Sequence, residues 1–216
     1  MNIISIETAT DWCGIGLFIN SACQHKIQKK IPKKHSEKLP IFYNEIILNS
    51  EFDDNELDAI AVSIGPGSFT GLRIGLGFAK GLAFSKSIPI IPVPTLDIIA
   101  MSSKEEYDDY LVCLFSHGDI VYYQRYKNGK GKDSPQVSKW NEINHGLQGV
   151  HYGCEKLLNG KKYSSTFPMV DILGKIAIEN YEELVVQKPY TLIPNYIAPF
   201  LSLIHISEPT RPERIG

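Results

Sequence analysis

The chain has few cysteines, and none of them pair by spacing. Cys13, Cys23, Cys113 and Cys154 are the only four in 216 residues. They form no CxxC and no zinc-like pattern, which argues against a disulfide framework or a zinc ribbon. Free thiols of a reducing compartment are the expectation. No run approaches the roughly 18 consecutive apolar residues of a membrane span. The opening MNIISIETATD lacks the basic stretch and apolar run of a signal peptide. A cytoplasmic protein with no membrane contact is therefore expected. Excess positive charge is missing as well: 22 Lys and Arg face 24 Asp and Glu, for a net charge of -2. A protein that grips nucleic acid with a broad basic face carries far more. There is no GxGxxG, no GK[ST] P-loop and no GxSxG elbow. No two of the six histidines have the i, i+4 spacing of a helical metal pair.

What is present is globular composition, 43% hydrophobic and 21% charged, sufficient for a packed core. Asn2–Glu7 and Cys13–Ile19 read as a hairpin around the polar turn Thr8–Asp11, and Ala22–Ile31 as a lysine-rich edge strand. A helix follows over Ser36–Asn49 with Ser36 as its cap. Leu39, Phe42, Tyr43 and Ile46 fall on one face of it, while Ile41 and Leu48 lie on another, so the helix needs two packing partners. Leu57–Ile64 reads as a buried strand, Ile74–Lys86 as a helix, Ile88–Val93 as a strand and Thr95–Met101 as a helix. The order βββαβαβα predicts an α/β fold, a mixed sheet extended by parallel crossovers. The charged stretch 102–109 marks a lobe boundary. It separates a lobe over 1–101 from a second over 102–200, which opens with a hairpin (Tyr110–Phe115, Ile120–Tyr126) and holds a helix over Asp171–Glu183.

The segment Gly65-Pro66-Gly67-Ser68-Phe69-Thr70-Gly71-Leu72-Arg73 lies between a buried strand and a helix. That is a position where backbone N–H groups cradle phosphate. Gly65, Gly67, Ser68 and Thr70 are the candidate phosphate contacts. A tight turn with Ser68 or Thr70 capping the helix is the competing reading. In the helix that follows, Gly71, Gly75, Ala79 and Ala83 recur every fourth residue, and Gly77 and Gly81 make a second small row. Each interior glycine costs about 1 kcal/mol against alanine, so close packing must compensate. A second helix is expected to dock here, from this chain or another, and another chain is the favoured reading. With the apolar residues of the preceding helix, the expected partner interface is Leu39, Phe42, Ile46, Gly71, Gly75, Ala79 and Ala83.

IISIETAT, HSEKLPIFYNEI, LDAIAVSIGPGSFTGLRIGLGFAKGLA and IPIIPVPTLDIIA together resemble the TsaB (YeaZ) family. The likeness is dense over residues 1–101 and loose from 102 to 200, where FSHGDIVYY departs from the family's acidic segment. The resemblance implies a two-lobed actin-like (ASKHA, Hsp70-like) fold, with mixed sheets flanked by helices. It implies a non-catalytic scaffold in the formation of N6-threonylcarbamoyladenosine on tRNAs that read ANN codons. Its partners would be the paralogous transferase TsaD and the ATPase TsaE. A homodimer through the same patch, and tRNA met through the complex, are further implications. No cofactor is required, and room is left for a nucleotide at the partner interface. TsaD-type proteins carry an HxxxH metal pair where this chain has Thr95 and Ile99, so no metal site is expected.

Other classes compete with this reading. An active actin-like ATPase or small-molecule kinase would use Glu7 or Asp11 in the hairpin turn, yet that turn has no glycine for close phosphate approach. A protease would need a triad around Ser68, and none is spaced. A direct tRNA-binding module would use Lys26, Lys29, Lys30, Lys33, Lys34 and Lys38, or stack bases on Tyr122, Tyr123 and Tyr126. A solvated edge and a sheet face are the plainer readings of those two groups. Residues 201–216, LSLIHISEPTRPERIG, resemble a translated sequencing adapter and are set aside as a non-native tail.

Overall fold

A computed structural model describes residues 1–146 and 148–197; the adapter-like tail lies outside the described residues. Strands β1 (Ile3–Glu7), β2 (Trp12–Ile19) and β3 (Ala22–Lys30) form an antiparallel meander. Strand β4 (Ala59–Ser63) joins the free side of β1 in parallel, and β5 (Ile90–Val93) joins β4, giving the order β3-β2-β1-β4-β5. Both β1 and β4 are buried on both faces, as their continuous apolar runs require. Alternate residues of β1 serve different cores. Ile4 and Ile6 face helices α1 (His35–Ser50) and α2 (Phe69–Lys86), which lie side by side; Ile3 faces α4 (Val170–Glu179). Strand β3 is the exposed edge, and its lysines suit it to that place.

The second sheet is built on the hairpin β6 (Asp109–His117) and β7 (Ile120–Lys127). Short strands β8 (Lys130–Gly131) and β9 (Gln136–Lys139) pair with β7, while β10 (Gly149–Tyr152) adds in parallel to β6 and β11 (Ser164–Ser165) to β10. Helix α3 (Thr95–Ser102) wedges between the lobes. Ile98 joins the first-sheet core, whereas Leu96, Ile99 and Ala100 pack on Tyr110, Val112, Tyr126 and Val150.

The boundary expected at 101/102 does not divide the core. The chain returns to the first lobe at α4, where Leu173, Ile176 and Ala177 cover Ile3, Phe18, Ala61 and Ile91. After α5 (Tyr181–Leu184), Val186 exchanges two backbone hydrogen bonds with Ile90, at 2.8 and 3.2 Å, on the outer edge of β5. A run of charge marked the exit from the first sheet, but an apolar helix far along the chain was needed to close its second face.

Two local expectations are corrected. Helix α1 begins at His35 with Lys34 at its cap position, and no side chain caps it; Ser36 lies inside the first turn. Helix α2 begins at Phe69, five residues earlier than expected, because Ser68 caps it by accepting the Gly71 N–H at 3.2 Å. Most of the glycine-rich segment is thus helix, and only Gly65–Ser68 is loop.

Candidate partner-binding face and interlobe cleft

The residues expected at the partner interface are core. Leu39, Phe42 and Ile46 are buried on the inner face of α1, and Gly71, Gly75, Ala79 and Ala83 on the inner face of α2. The small row does admit a close backbone, but it is the chain's own. A β-carbon on Gly71 would overlap the Thr8 carbonyl, one on Gly75 the Thr8 hydroxyl, and one on Gly67 the Ala9 carbonyl. The row exists so that α2 can lie directly on the β1–β2 turn.

The second small row has the opposite setting. Gly77 and Gly81 are exposed, and a β-carbon on either would meet nothing within 4 Å. The same two helices carry large exposed apolar side chains: Phe84 on α2 (89% exposed), and Leu48 (79%) and Ile41 (50%) on α1. The two helices are fixed to each other by Asp54. It accepts from the Tyr43 hydroxyl at 2.6 Å and pairs with Lys86 at 2.8 Å, and both contacts hold its carboxyl below the usual range. The second apolar side of α1 was legible in the sequence; which side faced inward was not.

A cleft of about 1340 Å³ opens between the lobes. Gly67, Ser68 and Thr70 line it, with Thr10, Asp11, Lys30 and Lys33 on the same lobe and Leu114, Phe115 and Tyr122 opposite. Gly65 is buried behind this wall. It adopts φ +106°, donates its N–H to Thr95 Oγ1 at 3.2 Å, and accepts from the Thr95 N–H at 2.9 Å. The Ser68 N–H is spent on the Ala9 carbonyl at 2.7 Å and the Gly71 N–H on Ser68 Oγ. Three of the donors that a phosphate would need are therefore satisfied within the chain.

Glu7 ends β1 beneath this loop, fully buried. Its Oε1 accepts the Ala9 N–H at 2.6 Å, while Oε2 has no partner. Burial pushes its carboxyl up to about 8, against the opposing pull of the Ala9 N–H and the Ser63 hydroxyl. Near neutral pH the group is mostly protonated. Asp11 is committed elsewhere: the Tyr152 hydroxyl donates to it from the second lobe, and Lys30 Nζ lies 3.1 Å from its other oxygen. Among the described residues no three His, Cys, Asp or Glu side chains gather as a metal site. Thr95 and Ile99 are both buried, Thr95 through its bond to Gly65.

The remaining sequence candidates separate. Lys26 pairs with Asp171 at 2.7 Å, Lys30 with Asp11, and Lys29 sits 5.5 Å from the centre of the Phe42 ring. Tyr126 is core and donates to Asp97 Oδ1 at 2.5 Å, and Tyr123 donates to Gln136 at 2.6 Å. Only Tyr122 reaches the cleft. The three tyrosines form no stacking platform.

A meander of three antiparallel strands continued by two parallel ones, a second sheet, and a cleft between them define a two-lobed actin-like protein. YeaZ from Pseudomonas aeruginosa has the same fold, with a TM-score of 0.78 at 22% identity over 90% of this chain and 99% of that one. A family model described as TsaD, tRNA N6-adenosine threonylcarbamoyltransferase, matches residues 26–168. The chain is 32% identical over 205 residues to the tRNA threonylcarbamoyladenosine biosynthesis protein TsaB of Buchnera aphidicola subsp. Acyrthosiphon pisum, covering 93% of this chain and 88% of that protein. The TsaB of Escherichia coli K12 is 32% identical over 155 residues, 68% and 67% of the two chains. That of Haemophilus influenzae is 30% identical over 146 residues, 66% of this chain and 61% of that protein. The chain belongs to the TsaB family, and the TsaD match marks the paralogous relation.

Proposed function

We propose that the protein is a non-catalytic scaffold subunit in the formation of N6-threonylcarbamoyladenosine on tRNAs reading ANN codons, working in the cytoplasm with a TsaD-like transferase and a TsaE-like ATPase. One observation supports the absence of turnover: the Gly65, Ser68 and Gly71 N–H groups are taken by Thr95, Ala9 and Ser68, above a buried Glu7 carboxyl that burial pushes up to about 8. A phosphate-handling centre needs those donors free and that acid ionised. The partner face is the outer side of α1 and α2, with the Gly77–Gly81 strip and the exposed Ile41, Leu48 and Phe84. Small residues let a partner's helices approach to about 8 Å. The same patch would serve a homodimer or a paralogous heterodimer. A nucleotide, where one binds, sits at that partner interface, and tRNA is met through the complex.

Co-purification with a TsaD-like partner, with an ATPase assay on the isolated chain, tests this reading. The expected result is a stable complex, no ATP turnover by the chain alone, and modified tRNA only when the chain is added to its partners. ATP turnover by the isolated chain, abolished by a Glu7 substitution, would overturn it.

A further inference from the structure

The segment after α5 has almost no regular structure, yet it is fastened along its length. Val186 bonds to Ile90 on the edge of β5. The Tyr190 carbonyl accepts from Lys80 of α2 at 3.1 Å, and Leu192 packs on the first-sheet core. The Asn195 N–H then donates to the Ile64 carbonyl at 2.7 Å, at the last residue before the glycine-rich loop. The Asn195 carbonyl lies so near Gly65 that a β-carbon there would stand 2.9 Å away. Finally Tyr196 closes on the start of α2. Its ring meets Phe69 at 5.0 Å, and its hydroxyl accepts from Arg73 Nε at 3.0 Å. The Arg73 guanidinium is stacked 3.8 Å from the centre of the Phe69 ring.

The loop is therefore gripped from two sides. The β1–β2 turn holds Ser68 through Ala9, and Asn195 and Tyr196 hold Ile64, Gly65 and the first turn of α2. Asn195 and Tyr196 are also part of the cleft wall. Arg73, the cation of the glycine-rich segment, is kept against Phe69 and Tyr196 and does not line the cleft.

We propose that residues 185–196 are a strap that latches the glycine-rich loop in its closed arrangement and withholds Arg73 from the cleft. Release of Asn195 and Tyr196 frees the loop to move away from the hairpin turn without unfolding the lobe. Local opening of this kind costs less than global unfolding and is read by amide exchange.

Hydrogen exchange on the full chain tests the proposal with two variants. Asn195→Pro removes the N–H that reaches Ile64. Tyr196→Ala removes the contacts to Phe69 and Arg73, and as a truncation of a partly exposed side chain it keeps the test open if the proline variant does not fold. The expected result is exchange roughly tenfold or more faster across residues 64–72, with the β6 and β7 amides unchanged. Unchanged loop protection in every folded variant overturns the proposal. So does acceleration shared equally by both lobes, because the segment is then one more part of the global fold.

Discussion

Gly75 faces the Thr8 hydroxyl with no room for a β-carbon between them. The contact joins the middle of α2 to the turn of the first hairpin, and it turns a sequence feature that invited an intermolecular reading into an internal one. Gly75→Ala and Ala79→Trp should both lower the melting temperature followed by circular dichroism. Overpacking of this kind costs about 1–3 kcal/mol, and the larger side chain sits at the upper end. Either variant melting like the parent would mean that α2 stands off the sheet.

Gly77 should behave in the opposite way. With open space around it, Gly77→Ala gains helix propensity and should stabilise the isolated chain by up to about 1 kcal/mol. Gly77→Trp should leave the monomer folded and abolish capture of a TsaD-like partner. Analytical ultracentrifugation and a pull-down read the two effects separately.

Phe84→Asp and Leu48→Asp carry the same test to the apolar side chains of α1 and α2. Both side chains are exposed, so stability should change by no more than about 0.5 kcal/mol. Association should weaken at least tenfold by titration calorimetry. Unaltered binding by both variants would move the partner face elsewhere.

Glu7 gives a pH dependence with a fixed sign. Burial raises its carboxyl from the ordinary 4.5 to about 8 in the fold. Between those values the folded chain holds a proton that the unfolded chain has lost, so stability falls as pH rises through that window. Glu7→Gln is neutral throughout and keeps the acceptor for the Ala9 N–H. The variant should match the parent below pH 4.5 and become progressively more stable towards pH 8. A difference that is constant with pH would show the carboxyl to be ionised in the fold.

The lobes are tied by two tyrosine–aspartate contacts, Tyr126 to Asp97 and Tyr152 to Asp11. Tyr126→Phe leaves a largely buried carboxyl without its donor and should cost about 1–3 kcal/mol. Tyr152→Phe should cost less, since Lys30 remains on Asp11. Urea denaturation orders the two.

Much of the fold was legible because local signals agreed. The β-branched runs of β1 and β4 and the alternation in β2 each marked their element without help from elsewhere, whereas the Ser68 cap was one of two competing readings and the start of α2 was placed five residues late. The outward side of α1 and α2 was not legible for a reason particular to these helices. Both helices are apolar or small on two sides, so periodicity located two stripes and could not say which met the sheet. Deciding between the Gly75 and Gly77 rows needed the position of Thr8, a turn residue some seventy positions upstream whose carbonyl leaves no trace in composition. The return of the chain after Met169 was hidden likewise, since the helix over Asp171–Glu183 could be read but not the sheet that it covers. The charged stretch 102–109 and the hairpin after it marked a second lobe, and the resemblance supplied the actin-like fold that the weak periodicity beyond residue 102 could not.

The placement of α4 on the first sheet also sets an order of events during synthesis. Every strand of that sheet has left the ribosome by Val93, but Ile3, Phe18, Ala61 and Ile91 stay uncovered until Leu173, Ile176 and Ala177 emerge. At about 5–20 residues per second the wait lasts several seconds. Throughout it the nascent chain presents a twisted sheet with one bare apolar face, the kind of surface that chaperones hold. The second lobe is made while the first is still open, and the helix that follows it closes the first.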